Sequence, residues 1–156
     1  MAKGSGCSMF KDLPSSRILK QITRLNNIAG TTESAYKFDQ SKYAKIELFL
    51  QQRNIHGPAV GLKKFWRLNL PTLKFHNDDL QFVLTRIATE SKADVAACPS
   101  KIIVHGVDPK DNLEIDCAGK HSSVILQELV KATGAVGVPA DEIPRIKTPQ
   151  EKESWA

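Results

Sequence analysis

The sequence predicts an α/β fold: a mixed β-sheet with helices packed on it, an N-terminal helical extension and an extended C-terminal tail. Three observations lead there. A strand–helix–strand unit is compressed into residues 45–75, a third strand and a β-hairpin follow it, and an amphipathic helix closes the order. A chain of 156 residues holds one domain with room for extensions.

The N-terminal residues, MAKGSGCSMFKDL, read as an extended basic arm. In PSSRILKQITRLNNIAG, Ile18, Ile22, Leu25 and Ile28 recur at helical spacing, with Arg17, Lys20 and Arg24 mostly off that stripe. Pro14 and Ser15 suit a helix start and Gly30 the residue after its end, which predicts a helix over about 15–28. Asp12 is the sole acid before Glu33. A basic, acid-poor, amphipathic start fits a mitochondrial import signal and equally a helix docked on a core.

TTESAYKFDQS reads as a polar connector. YAKIELFLQQ alternates Ile46, Leu48 and Leu50 with Lys45, Glu47 and Phe49, the period of a strand. After the turn RNIHGPA, Pro58 opens a helix over about 58–68. Leu62, Phe65, Trp66 and Asn69 share one side of it, while Lys63, Lys64 and Arg67 share the other. Pro71 ends this helix. Leu73 and Phe75 alternate with Thr72 and Lys74, which predicts a second strand and a right-handed parallel crossover. LQFVLTRIA is the third strand and SKADVAACPS a loop. KIIVHG and LEIDCA form a hairpin around the turn-rich VDPKDN. HSSVILQELVKATG is the last helix, with Val124, Leu126, Leu129 and Val130 as its apolar positions and Gly134 as its stop. Residues 135–156, with three prolines and many charges, read as an extended tail.

Net charge is +5, and its distribution is uneven. Residues 1–80 carry 13 Lys+Arg against 6 Asp+Glu, and residues 81–156 carry 9 against 11. The first half is therefore the candidate contact half for an anionic partner. No apolar run approaches the roughly 18 residues that span a bilayer. Cys7, Cys98 and Cys117 are odd in number and widely spaced, which predicts neither a disulfide framework nor a zinc site and fits a reducing compartment.

Enzymatic signatures are weak. Cys98 in CPSK invites a redox reading, but it precedes a strand and has no second cysteine nearby. GPAVG continues as Leu-Lys-Lys, not as the Gly-Lys-Ser/Thr of a nucleotide loop; its simpler role is a turn and helix start, where a phosphate group of RNA could also sit. His56, His76, His105 and His121 are scattered, and Asp78-Asp79 and Asp141-Glu142 are local pairs with no metal spacing. No cofactor or metal is implied. What remains is the run KKFWR, with two readings for its aromatics. Exposed rings would stack on single-stranded bases. The helix spacing instead puts Phe65 and Trp66 with Leu62, toward the core, and leaves the basic residues for phosphate contacts that position without reading sequence.

GPAVGLKKFWRLNLPTLKFHN, the strand LQFVLTRIA, the hairpin around VDPKDN and the helix SSVILQELVK together resemble the thioredoxin-like domain of certain mitochondrial ribosomal proteins. A small accessory subunit of respiratory complex I shares that domain. The resemblance covers roughly residues 43–134. Its most specific part is Gly61, Lys64, Phe65, Leu70, Pro71 and Lys74-Phe75-His76-Asn77. The fungal large-subunit member is the most similar, since its helix also reads KFW before LPTLKF; the animal small-subunit member has the same layout with a less similar helix. The resemblance implies a thioredoxin-like sheet in residues 43–134, flanked by a basic arm and helix (1–42) and a Pro-rich charged tail (135–156). It also implies a matrix protein that binds ribosomal RNA and neighbouring ribosomal proteins, without membrane insertion and without a small-molecule substrate. The family has no catalytic residues to carry over, and this chain lacks the CxxC of true thioredoxins. The expected RNA contacts are Lys3, Lys11, Arg17, Lys20 and Arg24 in the arm and first helix, and Lys63, Lys64 and Arg67 in the second. Alternatives are a small-subunit ribosomal protein and the complex I accessory subunit.

Overall fold

The structure is a computed structural model and describes residues 16–53 and 57–148. Lys3, Lys11 and the rest of the basic arm lie outside the described residues, as do residues 149–156 of the tail.

Four strands form the central sheet in the order β3-β2-β4-β5: β2 (Tyr43–Gln51), β3 (Gln81–Ile87), β4 (Lys101–Gly106) and β5 (Leu113–Asp116). β2 and β3 are parallel over seven residue pairs, Lys45 opposite Gln81 through Gln51 opposite Ile87. β2 with β4 and β4 with β5 are antiparallel, so the sheet is mixed and the hairpin forms as its turn residues predict. Side chains alternate across a strand. Ile46, Leu48 and Leu50 of β2 and Ile102 and Val104 of β4 therefore point to one face, where all five are fully buried.

The helices α2 (Val60–Leu68), α3 (Leu70–His76) and α5 (Ser122–Thr133) cover that face. They contribute Leu62, Phe65, Leu73, Ile125, Leu126 and Leu129 to the core. On α5 the buried pair is Ile125 and Leu126, while Val124, expected inside, is exposed. Val124-Ile125-Leu126 is continuously apolar, so neighbouring facings of the helix fit the sequence equally well. Gly134 ends α5 in the left-handed conformation at φ 65°, as its position predicts.

Two expectations are corrected. Residues 72–75 are not a strand: Leu70–His76 is helix α3, with Pro71 in its first turn. Pro71 does break the preceding helix, but it starts another, because a proline in the first turn needs no amide partner. The four-residue alternation also fits a helix whose inner side is Thr72, Leu73 and Asn77, which are buried, while Phe75 is half exposed. The parallel crossover therefore runs from β2 through two helices to β3. Residues 92–97 are not loop but a short helix, α4 (Lys92–Ala97). Ser91 and Asp94 form a reciprocal capping box at its start, at 3.2 and 3.0 Å. None of its residues is buried.

The extensions are tied to the domain. α1 (Ser16–Ala29) packs against α3. The last carbonyls of a helix lack internal partners; here Asn27 O accepts the Thr72 hydroxyl at 3.2 Å and Ala29 O accepts His76 Nε2–H at 2.7 Å. The apolar stripe of α1 is only partly covered: Ile22 is half-buried, whereas Ile18, Leu25 and Ile28 are 40, 53 and 38% exposed. The connector and tail are also structured. β1 (Tyr36–Lys37) pairs antiparallel with β6 (Val136–Gly137), and Val138 is buried. Farther on, the Asn26 amide holds the backbone of Ile146 from both sides, accepting from its N–H at 2.9 Å and donating to its carbonyl at 3.1 Å.

No helix among the described residues is long and apolar enough to cross a membrane.

Candidate nucleic-acid interface

α1, α3, α2 and α5 lie side by side in one layer, each packed on the next. The first three share a compositional property: none of SRILKQITRLNNIA, LPTLKFH and VGLKKFWRL contains an aspartate or glutamate. Six of the residues expected to contact RNA, Arg17, Lys20, Arg24, Lys63, Lys64 and Arg67, are in α1 and α2. Five are exposed and Lys63 is half-buried. None takes part in an ion pair among the described residues.

Several other lysines behave differently, although Lys92, Lys110 and Lys131 are likewise exposed. Lys37, Lys45, Lys101 and Lys120 sit 2.6–3.5 Å from carboxylates. The Glu128 carboxylate bonded to Lys120 raises the lysine's pKa above its ordinary value. Lys74 on α3 is spent internally, donating to the carbonyls of Asp78 at 2.7 Å and Leu80 at 3.1 Å. Uncompensated cations therefore concentrate on the outer surface of α1 and α2. Such charges favour a phosphate backbone and carry little base specificity.

The aromatics of KKFWR divide. Phe65 is fully buried, as its spacing predicts. Trp66 reaches the core only in part; it packs at the margin, with the Arg86 guanidinium 5.8 Å from its ring centre. Neither ring lies free beside the basic residues as a stacking platform would require.

Two residues place this surface, and their roles lay hidden in the sequence. Gly61, at the start of α2, lies against the loop entering α5: a Cβ there would stand 1.7 Å from Lys120 O. Only glycine permits that approach, which fixes α2 beside α5. The neighbouring Gly119 N–H donates to Pro58 O at 3.0 Å. Asn77, at the end of α3, is 1% exposed and fully bonded. Its oxygen accepts from Phe38 N–H at 2.8 Å, and its amide donates to Tyr36 O and Leu73 O, both at 2.7 Å. It thus ties the connector after α1 to α3. Both residues belong to the motif that carried the family resemblance.

The two cysteines among the described residues offer no activated thiol. Cys98 caps the C-terminal end of α4, where the helix dipole disfavours a thiolate, and partial burial pushes its pKa up. Cys117 is fully buried and pushed up to about 12.

Comparison with known proteins identifies the family. Residues 62–122 match the family described as "Mitochondrial ribosomal protein L51 / S25 / CI-B8 domain". The stretch runs from α2 to the start of α5. A protein of Saccharomyces cerevisiae named "Large ribosomal subunit protein mL61" is 32% identical across 87% of this chain and 97% of its own length. The chain belongs to the mL61 family. A Neurospora crassa protein of the same name is 32% identical over 51% of this chain and 50% of its own length.

Proposed function

We propose that the chain is a non-enzymatic structural component of the mitochondrial ribosome's large subunit, in the matrix, holding ribosomal RNA on its acid-free helices. The near full-length likeness to a protein named for the large subunit supports that assembly over the small subunit and over complex I. The observation that carries the RNA reading is the layer of α1, α3 and α2: no acid, and cations at Arg17, Lys20, Arg24, Lys63, Lys64 and Arg67 without carboxylate partners among the described residues. Lys3 and Lys11 extend the same charge into the arm. The pushed-up cysteine pKa values argue against thiol chemistry.

We read residues 43–134 as a thioredoxin-like domain, with 1–42 and 135–156 as flanking additions. In its support, two parallel strands lie adjacent and an antiparallel hairpin continues the sheet.

The assembly reading is tested by gradient sedimentation of mitochondrial extracts. The chain is expected with the large subunit; sedimentation with complex I or the small subunit, or free at low salt, overturns it. The RNA reading is tested by titrating salt against binding to large-subunit ribosomal RNA. Lys64→Glu with Arg67→Glu is expected to weaken binding at every salt concentration. It is also expected to flatten the log–log salt slope by about 0.7–0.9 for each phosphate no longer neutralised. An unchanged slope would mean that RNA binds elsewhere on the chain.

A further inference from the structure

The two edges of the sheet are treated differently. β5 is four residues long and carries Glu114 and Asp116. A short, charged edge strand resists pairing with another chain. β3, at the other edge, is seven residues long, pairs with β2 in unbroken register and carries one charge in QFVLTRI, that of Arg86. It has no lysine, proline or bulge. Its residues from Phe82 to Thr85 are half-buried. Among the described residues, the backbone of β3 bonds no strand but β2 and its continuation, where Gln52 N–H donates to Ile87 O at 2.8 Å. Alternate residues of an edge strand direct their N–H and C=O groups away from the sheet.

We infer that β3 takes an extended, non-basic segment of a neighbouring protein as a fifth strand, with apolar side chains at alternate positions. Backbone groups in a row at strand spacing are matched by another strand, whereas RNA offers no such ladder. On one face the added strand would lie beside Val83, Thr85 and Ile87, which continue onto Phe49 and Ile103, all half-buried. On the other it would lie beside Phe82, Leu84 and Arg86. Charge selects the occupant. Arg86 gives one N–H to Gln52 O at 2.6 Å and keeps further donors for a carboxylate. α2 stands close by, through the contact of Trp66 with Arg86, and carries Lys63, Lys64 and Arg67. A second copy would bring the same cations with it, so the favoured occupant is another protein, acidic or neutral.

The inference rests on the assembly reading, and the test separates the two. Full-length chain carrying photo-reactive p-benzoylphenylalanine in place of exposed Gln81, or in place of Lys64, is assembled into large subunits and irradiated. The Gln81 position is expected to cross-link to an extended, non-basic segment of one other protein, and the Lys64 position to RNA. Val83→Lys and, separately, Arg86→Glu, each checked for folding by its melting temperature, are expected to lower the Gln81 yield at least tenfold and leave the Lys64 yield unchanged. Cross-links from position 81 to RNA, to a second copy, to the chain's own ends or to nothing overturn the inference while the assembly reading stands. So does a yield that neither variant changes. Absence of the chain from the particle overturns the assembly reading itself.

Discussion

The same strands present two faces that share no chemistry. On the covered face, Ile46, Leu48, Leu50, Ile102 and Val104 are fully buried under α2, α3 and α5. On the open face, their neighbours Lys45, Glu47, Phe49, Ile103 and His105 are half-buried. Glu47 gathers the polar groups there: the Thr85 hydroxyl at 2.7 Å, His105 at 3.1 Å and Lys45 at 3.5 Å. Lys101 stands over the Phe49 ring at 5.7 Å and pairs with Glu114 at 3.0 Å. One face is a finished core. The other has the mixed composition of a surface that is wet in the isolated chain and meets a neighbour in an assembly.

A matched pair of truncations tests this contrast most sharply. Phe65→Ala, on the covered side, is expected to cost about 3–5 kcal/mol, which for a domain of this size lowers the melting temperature by ~10 °C or more. Phe49→Ala, on the open side, is expected to cost about 1 kcal/mol. Thermal unfolding of the two variants checks both, and equal losses would show the open face to be core as well.

Next in size are two changes that attack the placement of the covering helices without touching an apolar side chain. Gly61→Ala drives a methyl into Lys120 O, so α2 must move from α5; a cost of about 1–3 kcal/mol is expected. Asn77→Ala leaves Phe38 N–H and Tyr36 O without their partner, at about 1–3 kcal/mol for each group that stays buried. Because Asn77 joins the connector to α3, its removal is also expected to speed amide exchange at Phe38 ahead of the β2 amides. Hydrogen exchange reads that order, and a uniform fall in protection would contradict the role given to Asn77.

Periodicity explains which parts of this architecture were legible in the sequence. β2, β3, the hairpin, α1 and α5 each repeat long enough to distinguish a period of 2 from one of 3.6. Four residues of α3 do not, and there proline punctuation was ambiguous between ending one helix and starting the next. α4 had a readable signal in Ser91-Lys92-Ala93-Asp94, but no buried stripe follows it to mark a helix. β1 and β6 are two residues each, joined across about 100 positions, and nothing local encodes them. At the candidate site, the split of KKFWR between core and solvent was legible. The absence of acid from three neighbouring helices mattered only once α3 proved helical and lay between the other two. The roles of Gly61 and Asn77 depend on a neighbour's carbonyl and on distant backbone groups, which no spacing rule describes.

The smallest expected effect probes the open face by pH. The Thr85 hydroxyl, first, and then His105 and Lys45 hold the Glu47 carboxyl below its ordinary value, against the opposing effect of burial. A carboxylate whose folded pKa is lowered stabilises the fold above its unfolded pKa, and that contribution is lost as pH falls through the folded value. Thr85→Val removes the largest of these influences at nearly constant volume and keeps a strand-forming residue. Its cost is expected to be about 1 kcal/mol at pH 6. Protonating Glu47 turns the charge-assisted bond to Thr85 into a weaker neutral one, so the gap in melting temperature should narrow as pH falls through the lowered pKa of Glu47. A gap of unchanged size at low pH would mean that Thr85 acts through packing and not through the carboxylate charge. The open face would then be held by its apolar residues, and its polar cluster would be surface decoration with no part in stability.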